Sequence, residues 1–597
     1  MGVHDERPEG RGQNFFAIDP NLQAHLRRTL GDGDYARALP LLERMGALSG
    51  DAIDRQAEYT DRVARPVLET YDRQGNVVNH VRYNPLYEES VRQVYGLGTI
   101  GCNYGPSALP YSAHFGLLYL LSESDPGLAC PVTLTASAAF VIARHGSEEQ
   151  RRRYLPQLAV REEGPFADGA TWVTEKQGGS DAGAATTQAV PIADADRAAA
   201  LARYGLNPDA QLASLRGEKW FASNADADFS LVTARPPGAE AGTRGLALYL
   251  LPRLLGDGAV NAYRIRRLKD KLGTTGLATG EIDLDGALAE LVTPSPDGFK
   301  HMLEALEFSR IANAIASAGI HRRVFLEAQL YAAQRSAFGQ SLDRFPMVQE
   351  TIVTMLAELE AATALAFCAA QALDDYIKDP TPERHGWHRL TTALAKYRTG
   401  EVAVRNASRA IEVLGGNGYV EEYVTARMFR EAQVLPVWEG PANIQALEVL
   451  RTFAPRWHAD ETLSKRIKET IDRAEAMPAA RDLGRMLRTQ WQMAEQAIGW
   501  LRIHPESQEQ HARRLSDWLA EILEFALLLD EAVLELPTSS RKLVLSWWLA
   551  RLHLAPAPLH GLGEDVSWLG AAYSALVTYL PLDAVALPAT RVEVPLR

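Results

Sequence analysis

The sequence predicts an α+β protein in which a β-rich segment lies between helical segments. Apolar residues recur at helical spacing in the first part of the chain and in its second half, whereas the stretch between them is rich in glycine and short alternating runs typical of strands. Strands do not alternate with helices, which disfavours a parallel α/β sheet. We expect an N-terminal helical domain (1–164), a β domain (165–295), a helical bundle (296–454) and a further helical domain (455–597).

The composition of the 597-residue chain is that of a globular protein, with 46% hydrophobic and 23% charged residues. This amount of apolar material supports several cores and excludes disordered chains, collagen and small disulfide scaffolds. The net charge of −13 repels phosphate backbones, so a general nucleic-acid binder is disfavoured.

Signals for export, membrane insertion and metal binding are weak in this sequence. The charged amino terminus lacks the apolar segment of a signal peptide, and the long uncharged stretches are broken by glycine and proline or fall short of the roughly 20 residues of a spanning helix. Cys102, Cys130 and Cys368 lie far apart without zinc-type spacing, and no H-E-x-x-H motif occurs. We expect a cytoplasmic protein with no membrane contact and no metal site.

Local signals place individual elements within this plan. Ser147–Gln150 has the pattern of a helix start, and both Ser230–Ala234 and Glu281–Leu284 alternate like strands. Pro191–Arg216 is Ala-rich and charged, which indicates a surface insertion that carries a short helix. Leu515–Leu529 has helical spacing in the last domain.

The last domain is the place where a nucleic-acid role would be expected. Residues 451–597 carry 17 Lys and Arg against 19 Asp and Glu, a net charge of −2. The Trp547–Trp548 pair fits a packed helix better than a base-stacking platform. Both observations disfavour DNA binding there.

Three glycine-rich segments are candidate ligand sites. Gly96–Gly101 matches a dinucleotide-binding pattern by letter, but it follows a predicted helix end and not a strand, so we interpret it as a loop. Thr174–Asp181 is either a turn or a loop whose backbone donors hold an anionic or polar group. Glu412–Tyr419 ends a helical pattern and is either a C-cap or a close backbone approach to a ligand.

Glu439 is the carboxylate that best fits catalysis. It follows the apolar Val434–Pro436, and no Lys or Arg lies between Arg430 and Arg451. We therefore expect partial desolvation, which raises the pKa of a carboxyl group and makes it a stronger base towards a carbon acid. The alternative is an ordinary glutamate at a helix start, since the residues from Ala442 onward have helical spacing.

Five motifs together resemble the acyl-CoA dehydrogenase family. They occur in the order and spacing of that family, and the resemblance covers about residues 130–455. Other segments resemble its AidB branch and extend the likeness into the amino-terminal domain. The five motifs are Thr174–Asp181, Lys219–Asn224, Arg335–Gly339, Glu412–Tyr419 and Trp438–Gly440, and the segments similar to the branch are Val81–Pro85, Cys130–Thr135 and Leu268–Gly273.

The resemblance implies an FAD-binding fold and assigns roles to individual residues. It implies a homodimer or homotetramer with FAD between the β domain and the second bundle. Glu439 matches the base that removes the α-proton of an acyl-CoA while a β-hydride leaves to the flavin, and Arg310 matches an arginine that steadies the base-bearing loop. The residues that match FAD contacts are Val173, Thr174, Gly179, Ser180, Phe221, Ser223, Arg335, Phe338, Gly415 and Gly416.

Three positions depart from the family pattern. Pro441 replaces the threonine that usually follows Glu-Gly and helps to bind FAD, with Asn443 as the candidate substitute. Pro346 lies near the position where a cofactor-binding glutamine is common, and Glu412 stands where many members have Gln. These changes affect cofactor affinity or local charge and leave the base in place.

The resemblance leads to an FAD-dependent acyl-CoA dehydrogenase that passes electrons to an electron-transfer flavoprotein. The alternative is a protective flavoprotein of the AidB type, with DNA affinity and little dehydrogenase turnover. An oxidase that passes electrons to oxygen is a third hypothesis, which the sequence does not distinguish from the first.

Overall fold

The protein is described by a computed structural model over residues 9–206, 208–555, 562, 566–585 and 587. Its contacts group the residues into two units. The bundle unit combines the residues up to Tyr35 with those from Asn313 onward, and the sheet unit comprises Ala36–Ala312.

The described residues form eighteen α-helices and eleven β-strands. The α-helices are α1 (Pro20–Leu48, broken at Gly31), α2 (Asp54–Arg62), α3 (Pro85–Gly96), α4 (Tyr111–Ser122), α5 (Pro126–His145), α6 (Glu148–Leu158), α7 (Asp194–Tyr204), α8 (Gly298–Gln334), α9 (Pro346–Lys378), α10 (Pro382–Leu414), α11 (Gly416–Tyr419), α12 (Val424–Ala432), α13 (Ala442–Thr452), α14 (Ala459–Ala476), α15 (Arg481–Ile503), α16 (Gln508–Glu535), α17 (Arg541–His553) and α18 (Ser567–Val577). The strands are β1 (Val67–Tyr71), β2 (Val77–Arg82), β3 (Gly169–Trp172), β4 (Gln188–Pro191), β5 (Leu212–Ser223), β6 (Phe229–Ala234), β7 (Ala247–Pro252), β8 (Tyr263–Leu268), β9 (Thr279–Thr293), β10 (Ser336–Ala337) and β11 (Gln340–Ser341).

A seven-stranded sheet forms the centre of the sheet unit, within the residues described. Its order is β3-β6-β7-β9-β5-β4, with β8 paired to β9, and the described pairs are antiparallel except β3 with β6. The alternating strand residues bury Trp172, Leu215, Val232 and Ile282 in one apolar core. This sheet fixes the position of the segment after β3 and of the end of β5. The predicted FAD contacts of the sheet unit lie in these two segments.

Long helices form the bundle unit. Helix α9 is apolar on nearly all sides and almost entirely buried, as a central helix of a large bundle is. Helices α16, α17 and α18 of the last domain pack on it, and the indole N–H of Trp548 donates to the hydroxyl of Thr354 over 2.9 Å. Trp547 and Trp548 are both buried, so the prediction of a packed helix at this pair is confirmed.

Most local predictions are confirmed. Ser147 caps α6, the runs Ser230–Ala234 and Glu281–Leu284 lie in β6 and β9, and Pro191–Arg216 carries α7. Helix α16 contains Leu515–Leu529. Gly96–Gly101 follows the end of α3 and not a strand. The predicted α+β fold class is confirmed as well.

The amino-terminal region differs from its prediction in two ways. It contains an antiparallel hairpin, β1 with β2, whose largely exposed or half-exposed side chains mix apolar and polar residues without a clear alternation. The residues up to Tyr35 belong to the bundle unit, where Asp19 accepts a hydrogen bond from Arg322 Nε over 3.1 Å. Such long-range pairing leaves no trace in local sequence.

Two described helices are long and apolar enough to cross a membrane by length and composition. They are α5 and α9, and 89% and 94% of their most apolar windows are buried inside the protein. Core helices of globular proteins satisfy the same criterion.

Candidate active site

Glu439 lies on the turn between α12 and α13. Its φ is 58°, in the left-handed region that costs a non-glycine residue roughly 1 kcal/mol or more, and Gly440 follows with a φ of 98°. The residue is half-buried, and its Oε2 atom is shielded from solvent. The partial burial expected from its apolar neighbours is therefore present.

Donors from two helices hold this turn. Lys396 Nζ, from α10, donates to the carbonyl oxygens of Gly440 over 2.8 Å and of Pro436 over 3.3 Å. Gln445 Nε2, from α13, donates to the carbonyl oxygens of Glu439 and Gly440 over 3.0 and 3.2 Å. The strained turn is thus fixed by side chains that the sequence analysis did not single out.

Lys396 places a cation near Glu439 that the neighbouring residues in the sequence do not reveal. The sequence shows no cation among the neighbours of the glutamate along the chain, but the structure brings the amine of a fully buried lysine to its turn. A lysine on a helix far upstream gives no local signal. Its burial within an apolar helical stretch is the one feature that could have indicated a role.

The glycine cluster and the hairpin after α8 lie together in the bundle unit. Gly415 ends α10 with a φ of 63°, and no atom lies within 4 Å of a Cβ built on Gly415 or Gly416. Asn417 Nδ2 donates to the hydroxyl of Tyr331 over 3.2 Å, one helical turn before Arg335. The open backbone at these glycines suits close approach of a ligand.

Phe338 forms the tip of the hairpin made by β10 and β11. Its φ of 50° and that of Gly339, 87°, give a tight two-residue turn. The phenyl ring is 97% exposed, and Arg335 at the base of the hairpin is exposed too. Both side chains are therefore available to a cofactor or to a second subunit.

The positions that depart from the family pattern are also placed by the structure. Pro441 precedes the first turn of α13 and offers no side-chain cap, while Asn443 is exposed within that turn. Pro346 begins α9, and the nearby Gln349 is buried and donates to the carbonyl oxygen of Asp343 over 2.8 Å. The Asn443 side chain is therefore accessible to a ligand.

The segment after β3 folds back on β5 in the sheet unit. The carbonyl oxygen of Thr174 accepts from the backbone N–H of Trp220 over 2.9 Å, which joins two predicted flavin motifs. A Cβ on Gly179 would lie 2.5 Å from Thr174 Oγ1, so a larger residue there would displace the Thr174 side chain. Val173 is half-buried, whereas Gly179 and Ser180 are exposed.

A buried ion pair anchors this segment. Lys219 Nζ lies 3.0 Å from Glu175 Oε1, and the backbone and hydroxyl groups of Thr186 and Thr187 donate to the same carboxylate. Burial raises the pKa of Glu175, but the charge of Lys219 and these hydrogen bonds outweigh it and lower the pKa to about 2. The carboxylate is ionised and fixes the start of the loop.

Phe221 and Ser223 lie at the end of β5. Phe221 is 59% exposed, and Lys269 Nζ lies 4.9 Å from its ring centre and 3.5 Å from that of Trp220. Ser223 Oγ lies 3.3 Å from Thr279 Oγ1. An aromatic face and a hydroxyl are thus presented from one strand.

Arg310 lies on α8, one turn after Glu307, and both are half-buried. By sequence position Arg310 belongs to the sheet unit, whereas Glu439 belongs to the bundle unit. The steadying role of Arg310 stays a prediction.

The described residues fit FAD on chemical grounds. In the sheet unit, a glycine-containing loop with exposed backbone lies beside an exposed aromatic ring. In the bundle unit, an exposed arginine and two unobstructed glycines lie close together. Backbone donors, a guanidinium and aromatic faces are the groups that hold a dinucleotide's phosphates and rings.

A further cluster was not anticipated. His145, His301 and Glu304 bring their ligand-type atoms within 4.8 Å of one another. The imidazole rings stack in parallel planes 3.5 Å apart, and Arg144 Nε donates to Glu304 Oε2 over 3.0 Å. Parallel rings cannot both direct a lone pair at one ion, and the carboxylate is already neutralised. The contacts are those of an ion-pair cluster.

Three family models match consecutive parts of the chain. The adaptive response protein AidB N-terminal domain matches residues 6–163, the acyl-CoA dehydrogenase middle domain 170–287, and the acyl-CoA dehydrogenase C-terminal domain 296–453.

Individual relatives agree with these models. Acyl-CoA dehydrogenase family member 11 of Caenorhabditis elegans is 31% identical over 473 residues, which are 77% of this chain and 73% of that protein. Putative acyl-CoA dehydrogenase AidB of Escherichia coli is 29% identical over 72% of this chain and 76% of its own. The crystal structure of C. elegans ACDH-11 in complex with C11-CoA, 28% identical, covers 93% of both chains with a TM-score of 0.81. The chain belongs to the acyl-CoA dehydrogenase family, with an AidB-type amino-terminal domain, and is an FAD-dependent oxidoreductase that acts on CH–CH bonds.

Proposed function

We propose that the protein catalyses the α,β-dehydrogenation of an acyl-CoA thioester with Glu439 as the base. The observation that carries this proposal is the Glu439 turn. A carboxylate is held in a strained left-handed conformation, with one oxygen shielded from water and its backbone fixed by Lys396 and Gln445. Strain of this kind persists where the surroundings impose it, and such positions cluster at active sites.

The chemistry explains why the carboxylate must be fixed. The α-proton of a thioester is weakly acidic, so the base has to be partly desolvated and aimed at the α-carbon. FAD, when bound, accepts the hydride that leaves the β-carbon. Glu439 takes the proton and holds it until product leaves, and the shielding of its Oε2 atom reduces competition from water.

Product analysis tests the reaction. The FAD-loaded enzyme is incubated with saturated acyl-CoAs of graded chain length and an artificial electron acceptor. We expect a 2,3-enoyl-CoA that has lost two hydrogens, formed with at least one chain length. The C. elegans protein was crystallised with C11-CoA, so chains near that length are the first to try. Unchanged thioester at every length would overturn the proposal.

We propose an electron-transfer flavoprotein as the physiological oxidant. The support is a relative, 28% identical over 312 residues, that is named as a subunit of a caffeyl-CoA reductase–Etf complex. Turnover with purified electron-transfer flavoprotein and without peroxide release is the expected result. Stoichiometric peroxide would instead assign the oxidase reaction.

The alternative, an AidB-type protective flavoprotein with DNA affinity, rests on the match to the AidB amino-terminal model. Charge pairing in the last domain counts against it. Arg473, Arg488 and Arg502 all bond carboxylates, and Lys468 Nζ lies 2.8 Å from Glu495 Oε1. Cations neutralised in this way attract phosphates weakly. A gel shift across a salt series decides: salt-dependent binding at low ionic strength would support the DNA role.

A further inference from the structure

Lys396 is a fully buried lysine at the middle of α10 whose amine ends under the Glu439 turn. We propose that Lys396 is a positioning residue that holds Glu439 at the angle needed for proton removal. This inference rests on the proposed function, because it assigns the residue to that same base.

The bonds of Lys396 lie on both sides of the glutamate. Its Nζ atom donates to the carbonyl oxygens of Pro436 and Gly440, which bracket Glu439 in sequence. A buried ammonium group is costly unless its N–H groups are hydrogen-bonded. The carbonyl oxygens of the turn supply those partners, so the position of the lysine and the shape of the turn are mutually dependent.

A second connection reaches the turn through the backbone of Lys396. Its carbonyl oxygen accepts from Asn313 Nδ2 over 3.3 Å, and Asn313 Oδ1 accepts from the indole N–H of Trp438. Trp438 is the residue before Glu439. Helix α10 therefore holds the residues before and after the base through one lysine.

The left-handed φ of Glu439 explains why such a clamp is needed. A free glutamate prefers φ below zero, so the observed conformation must be imposed by neighbours. Gln445 bonds the carbonyl oxygens of Glu439 and Gly440, so it shares only that of Gly440 with Lys396 and leaves that of Pro436 to the lysine. Loss of the lysine amine releases one side of the turn while Gln445 keeps the other, which would tilt the carboxylate.

Two substitutions separate hydrogen bonding from packing. Lys396→Met keeps the length of the side chain and removes the donor, whereas Lys396→Gln retains a shorter amide donor. Lys542→Met is the matched control, because Lys542 is also buried and bonds Asn21 and Glu531. Each holoenzyme is assayed for FAD content, for the dissociation constant of acyl-CoA, for the rate of flavin reduction and for amide hydrogen exchange in residues 434–441.

If Lys396 positions Glu439, its loss should slow flavin reduction without weakening the binding of FAD or acyl-CoA. A misplacement of about 1 Å can cost about 100-fold in rate, so we expect Lys396→Met to reduce flavin about 100-fold more slowly with FAD content and acyl-CoA affinity nearly unchanged. Lys396→Gln should lie between it and wild type, and Lys542→Met should reduce flavin at the wild-type rate. Amide exchange should quicken in 434–441 of Lys396→Met alone.

Other outcomes overturn the inference. A wild-type reduction rate in Lys396→Met, with Glu439→Gln inactive, removes the role of Lys396 and leaves the proposed function standing. If wild-type enzyme itself shows no reduction, the proposed function fails and the exchange data still decide: unchanged protection of 434–441 in Lys396→Met contradicts the clamp.

Discussion

Lys219 and Glu175 show how single buried residues shape the cofactor loop. Their side chains are 0% and 1% exposed, and the carboxylate accepts from two threonines as well. Removing one partner of a buried pair leaves an uncompensated charge, which typically costs 3–5 kcal/mol. The pair therefore acts on both stability and the shape of the segment that begins at Thr174.

Lys219→Met is expected to lower the free energy of unfolding by about 3–5 kcal/mol and to reduce FAD retention. Urea unfolding of the holoenzyme, followed by tryptophan fluorescence and by flavin release, measures both effects. Lys176→Met, a change of an exposed lysine in the same loop, is the control and should alter stability by less than about 0.5 kcal/mol. Equal effects of the two substitutions would refute the anchoring role.

Burial of His114 is expected to make the folded protein less stable in acid. The histidine is fully buried and its Nδ1 atom donates to the carbonyl oxygen of Thr99 over 2.8 Å, and burial lowers its pKa from 6.5 to about 4. The unfolded chain takes up a proton below pH 6.5 while the folded protein stays neutral at this site. The histidine's contribution is therefore complete above pH 6.5 and is lost progressively as the pH falls towards 4.

Between pH 6.5 and 4, the contribution of His114 to the free energy of unfolding falls by about 3 kcal/mol. His114→Asn, which keeps a donor for Thr99, should be less stable than wild type at pH 7.5 but should lose less stability between pH 6.5 and 4. Unfolding free energies measured at several pH values give the comparison. Parallel curves of unfolding free energy against pH for the two proteins would contradict this role of His114.

Among single residues, the sequence indicates the proposed base, Glu439, more readily than the residues that hold its turn. Glu439 stands out because its apolar neighbours are adjacent in the chain. Lys396 and Asn313 reach its turn from other helices, so no local pattern marks them, and Gln445 is near in sequence but stands in an ordinary helical run. The same reasoning applies to Glu175 and Lys219, which meet only when β5 pairs beside the loop.

At the scale of elements, capping chemistry predicts helix α6 from four residues. Ser147 Oγ accepts from the backbone N–H of Gln150 over 3.1 Å, and the Gln150 side chain accepts from the backbone N–H of Ser147 over 2.9 Å. This reciprocal capping box satisfies two donors that the helix leaves free.

Ser147→Ala should lower stability by about 1 kcal/mol, and Ser147→Gly by only a few tenths. The ranking follows because glycine exposes the helix end to water whereas alanine shields it without replacing the bond. Thermal unfolding of the three proteins at one pH provides the measurement. A Gly variant less stable than the Ala variant would argue that Ser147 acts through packing instead of capping.

Elements with strong local patterns are predicted well, and those defined by distant contacts are not. The runs at β6 and β9 alternate polar and apolar residues, so periodicity is sufficient to place them, although both faces of β6 are buried. The β1–β2 hairpin is missed because its strands are short and its apolar and polar residues do not alternate regularly. Membership of the residues up to Tyr35 in the bundle unit depends on partners such as Arg322, hundreds of residues away.

At the scale of the whole molecule, the last domain shares a core with the bundle instead of forming an independent addition. Arg541 of α17 makes a two-point ion pair with Glu360 of α9, at 2.7 and 3.0 Å, and both side chains are buried. Arg398 of α10 bonds Glu524 of α16 over 2.8 Å. Both pairs fasten the domain to helices of the family bundle.

Arg541→Met is expected to cost about 3–5 kcal/mol because it leaves the Glu360 carboxylate buried with only part of its compensation. Arg485→Met breaks an exposed pair with Asp482 and should cost less than about 1 kcal/mol. Urea unfolding of both variants tests the contrast. Similar small losses in the two would show that the domain is held loosely.

The anaerobic half-reaction decides whether Glu439 removes the α-proton of an acyl-CoA. Acyl-CoA of the length that gives most product is mixed with FAD-loaded enzyme without an acceptor, and flavin absorbance is followed. We expect rapid bleaching in wild type and in the surface control Glu461→Gln, and none in Glu439→Gln despite retained FAD and acyl-CoA binding. Bleaching of Glu439→Gln at the wild-type rate would contradict this role of Glu439.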